Sequence, residues 1–541
     1  MKKVTKIALI VVGSVVGAAI IALISVDIWA SRVANNTIQH MLSKVDKQGQ
    51  ELRVGDIHVG LLTGMIDVTD IYLATDTDAF DTSLPRKKPG MEVYVPHVTL
   101  ELVNYYELIR HRRVKVFGVT VHHPHWTVWL DEKHPERCLP VFPKDTIDIS
   151  QKLSEISVNR VRLTRATGEL KSVRTSLYAR TDSLSAEVKD LHFDCLEKIF
   201  SYNDSSYALS ADNLFLRLPD GSKEMRFRDL ETKDSGPVLL GESRIRDLFS
   251  NKKMADRAKE PISWIDLTLN RLETSPINPI RKAIAQDWTL DSLYVDVRRM
   301  HTIRDERYVA IKPYPIPQDV LMKIPVKFAV KNVKAYVDEM FIEVTMNGEQ
   351  YGQLTLNKID AQLSNVTNRR NALWTNTISA PIGKNGRVRA TFAMYMNREG
   401  TFDCEINGTD IELSFLNPFI RPLVGLSFDS HVDKLETTYC GNRIKADGDF
   451  LMMYHGLTVT SYPKEKAALR EVQKHAKTIE NLANSLVPKS NPTAVDPAPR
   501  RYMVTWKRDE TKPYPLYVFG PCINGVIETM LPGLYAHKQI R

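Results

Sequence analysis

Apolar and polar residues alternate through most of residues 325–460, the period of strands buried on one side. In VKFAVKNVKAYVDEMFIEV, Val326, Phe328 and Val330 fall on one face and Lys327 and Lys331 on the other. After a phase slip at Asn332, Val333, Ala335 and Val337 resume the alternation. GQLTLNKIDAQLSNVTN, RVRATFAMYMN with Phe392 and Met394, TFDCEINGTDIEL, SFDSHVDKLETTYC and NRIKADGDFLMMYHGLTVTS with Phe450 and Met452 continue the series. Turn-formers separate them at Asn347-Gly348, Asn385-Gly386, Gly400 and Gly441-Asn442. One helix, LSFLNPFIRPLVG, interrupts.

Residues 154–309 read the same way, in segments such as SLSAEVKDLHFDC, YALSADNLFLRLPDG, ISWIDLTLNRLETS and WTLDSLYVDVRRMHTI, broken by a helical SPINPIRKAIAQDW. Nearer the N-terminus, strands around Gly60 and Gly64 precede further strands on either side of a short helix at residues 104–110. Residues 464–487 carry apolar positions at spacings of 3 and 4, an amphipathic helix. Residues 487–501, with four prolines, read as a linker. A last helix is expected to begin with Pro521 at its first position and to carry Ile523, Val526, Ile527 and Met530 on one face. It either packs over the open end of the sheet or lies at a membrane interface.

Residues 7–26, IALIVVGSVVGAAIIALISV, are about 20 apolar or small residues, long enough for the roughly 30 Å hydrocarbon core. Lys2, Lys3 and Lys6 precede them and Asp27 follows, which places the N-terminus in the cytoplasm. A cleaved signal peptide has a shorter apolar core, so an uncleaved anchor is favoured, with Trp29 at the membrane interface. Residues 31–47 stay helix-permissive. The expected parts are therefore an anchor (1–30), a juxtamembrane helix and β module (31–150), a middle sheet (151–322), a β-groove module (323–462), a helix and linker (463–501) and a terminal strand and helix (502–541).

The segments GLLTGMIDVTDIYL and VTLELVNYYELIRHRRVKVFGVTVHHPHWTVWL follow the anchor in an order that resembles AsmA-like proteins. That superfamily includes TamB and shares its groove architecture with bridge-like lipid transfer proteins. Gly64 stands at the family's glycine, Leu108-Ile109 at its turn and Pro124 before its last strand. GTDIELSFLNPFIRPLVGLSFDSHVDKLETTYCGNRIKADGDFLMMYHGLTV resembles the family's C-terminal close, departing from it at Ser427-Phe428-Asp429-Ser430. The resemblance implies an elongated antiparallel sheet curled into a taco-like groove that carries phospholipid or supports outer-membrane assembly. It also implies a bacterial inner-membrane location with the bulk of the chain in the periplasm.

Composition narrows the alternatives. The chain has 541 residues, 43% apolar and 26% charged, which is globular and not multispanning. Its net charge of +8 is spread along every segment, so no nucleic-acid footprint forms. Five cysteines, Cys138, Cys195, Cys404, Cys440 and Cys522, show no metal-ligand spacing. Cys404 and Cys440 either pair or serve as small buried residues.

His122, His123 and His125 are the one histidine cluster, with His123 and His125 on one strand face and no third ligand evident, so no metal site is assigned. Asp131-Glu132, Asp338-Glu339 and Asp447 with Asp449 are the candidate paired carboxylates, each at a turn or on a polar face. No catalytic motif, metal or cofactor signature is present.

A sheet with one apolar face and few helices to cover it is expected to curl into a trough, which either stays open to acyl chains or closes by packing on itself. Val326, Phe328, Val330, Phe392, Met394, Phe450 and Met452 are its candidate lining residues. Phospholipid is the expected partner. An envelope assembly factor that contacts outer-membrane or envelope proteins is the alternative, and a membrane-anchored hydrolase a third.

Overall fold

The computed structural model describes residues 50–60, 64–75, 89–134, 153–195, 197, 199–308, 310, 313–346, 349–462, 476–486 and 488–530. The apolar run at 7–26, Trp29, residues 31–47 and the Asn347-Gly348 turn lie outside them. Among the described residues no helix is long and apolar enough to cross a membrane. The protein is mainly β and rich in antiparallel pairing. It divides into two compact units, Met1–Ser243 with Ser275–Gln286, and Arg244–Thr274 with Asp287–Arg541.

In the first unit, β1 (Gln50–Arg53) and β2 (Ile57–Gly60) pair with the two halves of β3 (Met65–Thr75). β3 pairs with β4 (Gly90–Glu101). Helix α1 (Tyr105–His111) follows, capped by Asn104, which accepts from the Glu107 amide, and ended by Arg112 in the left-handed region. β4 then receives β5 (Arg113–His122) and β6 (His125–Leu130), both antiparallel. β5 and β6 run parallel to β7 (Glu155–Ser172). An antiparallel meander follows through β8 (Tyr178–Asp194), β9 (Ile199–Arg217), β10 (Lys223–Lys233) and β11 (Leu239–Leu240).

β12 (Ser243–Asp247), α2 (Asn251–Ala258) and β13 (Ser263–Thr274) come next, and α3 (Pro279–Ala285) belongs again to the first unit. In the second unit β13 pairs antiparallel with β14 (Asp287–Asp305). After α4 (Pro317–Met322), β15 (Lys327–Met346) runs parallel to β14. A second meander continues through β16 (Glu349–Thr367), β17 (Leu373–Ile382), β18 (Gly386–Tyr395) and β19 (Phe402–Glu412). α5 (Asn417–Val424) leads to β20 (Leu426–Gly441) and β21 (Lys445–Ser461). α6 (Ala476–Leu486), β22 (Ser490–Asn491), β23 (Arg501–Lys507) and α7 (Tyr514–Met530) complete the described elements. β22 and β23 both pair with β21.

Several findings correct the expectations. The parallel pairings were not expected, because a period-2 pattern does not encode strand direction. α2 and α4 were also missed, being only 8 and 6 residues long, too short to show a helical period. α7 begins at Tyr514 and runs through Pro521. Proline inside a helix removes one amide donor. Here burial of the helix against the sheet outweighs that loss, and the Tyr439 hydroxyl donates to the Val518 carbonyl at 2.7 Å.

The proline-rich stretch is tied down rather than free. The Asn491 side chain donates to the Met452 carbonyl at 2.6 Å and accepts from the Arg500 amide at 2.9 Å. Cys404 and Cys440 are free thiols. Cys404 stands opposite Tyr439, and Cys440 opposite Asp403, so the two point to opposite faces.

Candidate functional site

Apolar positions in the long strands follow i, i+2, then a slip of one residue, then i+5 and i+7. In β3 these are Ile66, Val68, Ile71 and Leu73; in β5, Val114, Val116, Val119 and Val121; in β7, Ile156, Val158, Val161 and Leu163. In β3 the slip falls on Asp70, at φ 52°. A residue in the left-handed region turns the chain, and both residues at the turn then face outward.

The phase slip read at Asn332 is one of these. β16 has Lys358 and Asn365 at φ 53° and 59°. The ladder passes over Asn365 opposite Lys331, and Lys331 opposite Asp291, so the interruptions line up across three strands. Lys358, Asp338 and Arg298 align in the same way. Lys331 and Asn332, Asn357 and Lys358, and Ser364 and Asn365 are all exposed pairs. The polar side is therefore the outside of each bend and the apolar side the inside.

In the first unit, the apolar side of β3 to β7 packs into its own buried cluster, with Val68, Val95, Val98 and Leu100 each at most 1% exposed. At the C-terminal end of the second unit α7 closes the apolar side. Phe450 and Met452 pack with Val504 and Val526 in one cluster, and Phe392 and Met394 with Tyr514, Tyr517 and Val518 in another. Burial there pushes the Cys404 and Cys522 thiols up to about 12 and raises Tyr439 far above the usual phenol value.

Elsewhere in the second unit, β13 to β16 keep their apolar side largely uncovered among the described residues. Register places Leu293, Val333 and Leu363 in one row and Leu272, Val295, Ala335 and Ala361 in the next. Leu269, Val297, Val337 and Ile359 form a third row, followed by Leu267, Met300, Met340 and Leu356. The opposite side is mostly polar, with Arg299 paired to Glu339 at 3.1 Å, and also carries Trp264 and Phe341 packed against His301 at 5.3 and 4.8 Å between ring centroids.

Most of these apolar residues are only half-buried, and none belongs to the three buried clusters. Burial is deepest in the row beside the Arg298–Asp338–Lys358 bend, where Leu269, Val297 and Ile359 are 5–8% exposed. Apart from α2 against β13 and β14, and α5 against β16, no helix packs closely on these strands among the described residues. Four strands at about 4.8 Å span roughly 15–20 Å, the length of one acyl layer of a bilayer.

Of the expected lining residues, Val330 is buried and Val326 and Phe328 are half-buried at one end of this open face. Phe392, Met394, Phe450 and Met452 lie in the closed part. Trp29 lies outside the described residues. Sequence reading missed the β13, β14 and β16 residues because their faces are legible only once the repeated slip is recognised.

Several of the chemistry-bearing groups have structural partners. Arg174 holds Asp131 by two hydrogen bonds of 2.7 and 2.6 Å, and its guanidinium depresses the Asp131 carboxyl well below the usual range. Thr175 donates to Glu132 at 2.5 Å, and Asp447 accepts from Thr505 at 2.9 Å. The strand expected to carry His123 and His125 breaks between β5 and β6, with His123 at φ 47°, and His122 stacks on His97 at 5.1 Å. Among the described residues no three His, Cys, Asp or Glu side chains are placed to hold a metal ion. What stands out, in a mainly β protein, is the apolar side of β13 to β16 in the second unit, left open among the described residues. No family model and no curated protein matches the chain.

Proposed function

We propose that the chain is a non-catalytic, membrane-anchored protein that binds or guides phospholipid along this inner face, in maintenance of a bacterial envelope. The open apolar face of β13 to β16 carries the reading. Apolar surface left half in water is costly, and an acyl chain laid on it gains about 0.8 kcal/mol for each methylene buried. The polar outer side keeps such a trough soluble along its length. The apolar run at 7–26 supports anchoring in the inner membrane with the bulk of the chain periplasmic, and the resemblance to AsmA-like proteins points the same way.

The test is site-specific photo-crosslinking in cells, with a photoreactive residue at Val337 on the inner side or Tyr336 on the outer. Lipid adducts at Val337 and not at Tyr336 are expected. Phospholipid should also co-purify with the full chain and be lost from Val333→Asp with Val337→Asp, while circular dichroism stays unchanged. Lipid-free folded protein, or equal adducts on both sides, overturns the reading. Protein adducts at Val337 support the assembly-factor alternative.

A further inference from the structure

The open face ends, at the Val330 and Val366 side, beside a cleft of about 590 Å³ between α4, the turn after β16 and the turn after β18. Lys323, Arg370 and Arg398 line it, with Met322 and Met396 as apolar wall. The charges are unbalanced. Arg443 takes Asp319 by two hydrogen bonds of 2.7 and 2.8 Å, which leaves Glu399 as the one lining carboxylate outside an ion pair. Arg369, next in the chain to Arg370, is committed elsewhere, to Asp287 at 3.2 Å and Thr289 at 3.1 Å. Among the described residues Lys323, Arg370 and Arg398 meet no carboxylate at ion-pair distance, although many arginines of this protein do.

Three cations against one unpaired carboxylate leave the cleft with surplus positive charge, which a bound anion offsets. Guanidinium pairs suit a phosphate ester, whose oxygens accept two parallel hydrogen bonds from each fork. Position places the cleft at the ends of strands that carry the apolar face. Arg370 is four residues from Val366, so at most about 14 Å of chain separates them, and Lys323 is three residues from Val326.

We propose that this cleft binds the phosphate ester of the lipid whose chains lie on the inner face, so that lipids are held in one orientation at this end. The inference rests on the acyl-binding reading of that face. Its chemistry, a phosphate monoester or diester, is shared by a free glycerol phosphate.

The experiment uses full chain purified in detergent and three probes: phosphatidylglycerol, phosphate-free diacylglycerol and sn-glycerol 3-phosphate. Variants are Arg370→Ala with Arg398→Ala, the charge reversal Arg370→Glu, and Arg387→Ala on β18 as control. Phosphatidylglycerol is expected to bind at least tenfold more weakly to the double variant and to the reversal. Diacylglycerol binding and the Arg387→Ala protein should be unchanged, with hydrogen exchange confirming the fold.

If neither lipid binds the unaltered protein, the acyl reading falls. The cleft then stands as a site for free phosphate esters when glycerol 3-phosphate binds and is lost in the variants. If the variants bind phosphatidylglycerol and glycerol 3-phosphate as the unaltered protein does, the cleft proposal is overturned. The acyl reading survives that result whenever Val333→Asp with Val337→Asp still abolishes both lipids.

Discussion

Phe450 and Gly525 form a tight join between α7 and the sheet, and we predict that they are strongly coupled. Phe450 is 0% exposed, and a Cβ built on Gly525 would overlap its ring. Phe450→Ala empties that space, at a cost of about 3–5 kcal/mol. Gly525→Ala gains about 1 kcal/mol of helix propensity and loses about 1–3 kcal/mol by overpacking. In the double variant the added methyl enters the vacated volume, so the overpacking cost disappears and the propensity gain remains. The double variant should then be about 1–3 kcal/mol more stable than the sum of the single effects.

Hydrogen exchange read on peptides within residues 514–530 is the appropriate assay, since it reports local opening of α7 without requiring two-state unfolding of the whole chain. Phe450→Ala should speed exchange across the helix, and adding Gly525→Ala should slow it again. Additive effects within about 0.5 kcal/mol would refute the close packing of α7 on β21.

Other predictions follow from the side-chain environments. Cys404 and Cys522, packed between α7 and the sheet and raised to about 12, should resist iodoacetamide at pH 8 until the protein unfolds, while exposed Cys440 labels within minutes by mass spectrometry. The hydrogen bond from Arg443 lowers the Asp319 carboxyl. Its stabilisation is therefore present above the unfolded value near 3.9 and is lost as pH falls through the lower folded value, so Arg443→Met should move the acid-unfolding midpoint to higher pH by intrinsic fluorescence. The hydrogen bond to Glu412 raises His431. That contribution is full below about 6.5 and lost as pH rises through the folded value, so His431→Gln should destabilise in urea more at pH 6 than at pH 9.

The sheet character was legible because Val, Ile and Leu alternate with polar residues over segments of strand length. The Asn104 cap of α1 and the Gly425 end of α5 are likewise written in local residues. Direction of pairing was not, since β14 and β15 look alike whether parallel or antiparallel. The bends were legible in principle. A slip was read at Asn332 alone, yet the same spacing stands in β3, β5 and β7, beginning at Ile66, Val114 and Ile156. Which part of the inner face stays open was hidden. It depends on where α7 docks, and the expected start at Pro521 left out Tyr514, Tyr517 and Val518, the residues that cover Phe392 and Met394.

Pairing order within each unit has a consequence for how the chain acquires its structure. Through β7 to β10 and again through β15 to β21, each strand bonds to the one before it and the one after it in sequence. Such stretches can grow hairpin by hairpin from any starting point, with stability passed between nearest neighbours as in a repeat array. The parallel joins of β5 and β6 to β7, and of β14 to β15, are different. Each must close a longer connection before its first hydrogen bond forms. They divide the polypeptide into zippers that lengthen readily and two latches that set the pace, so a hairpin added or lost inside a meander would leave the latches, and the register of the strands beyond them, intact.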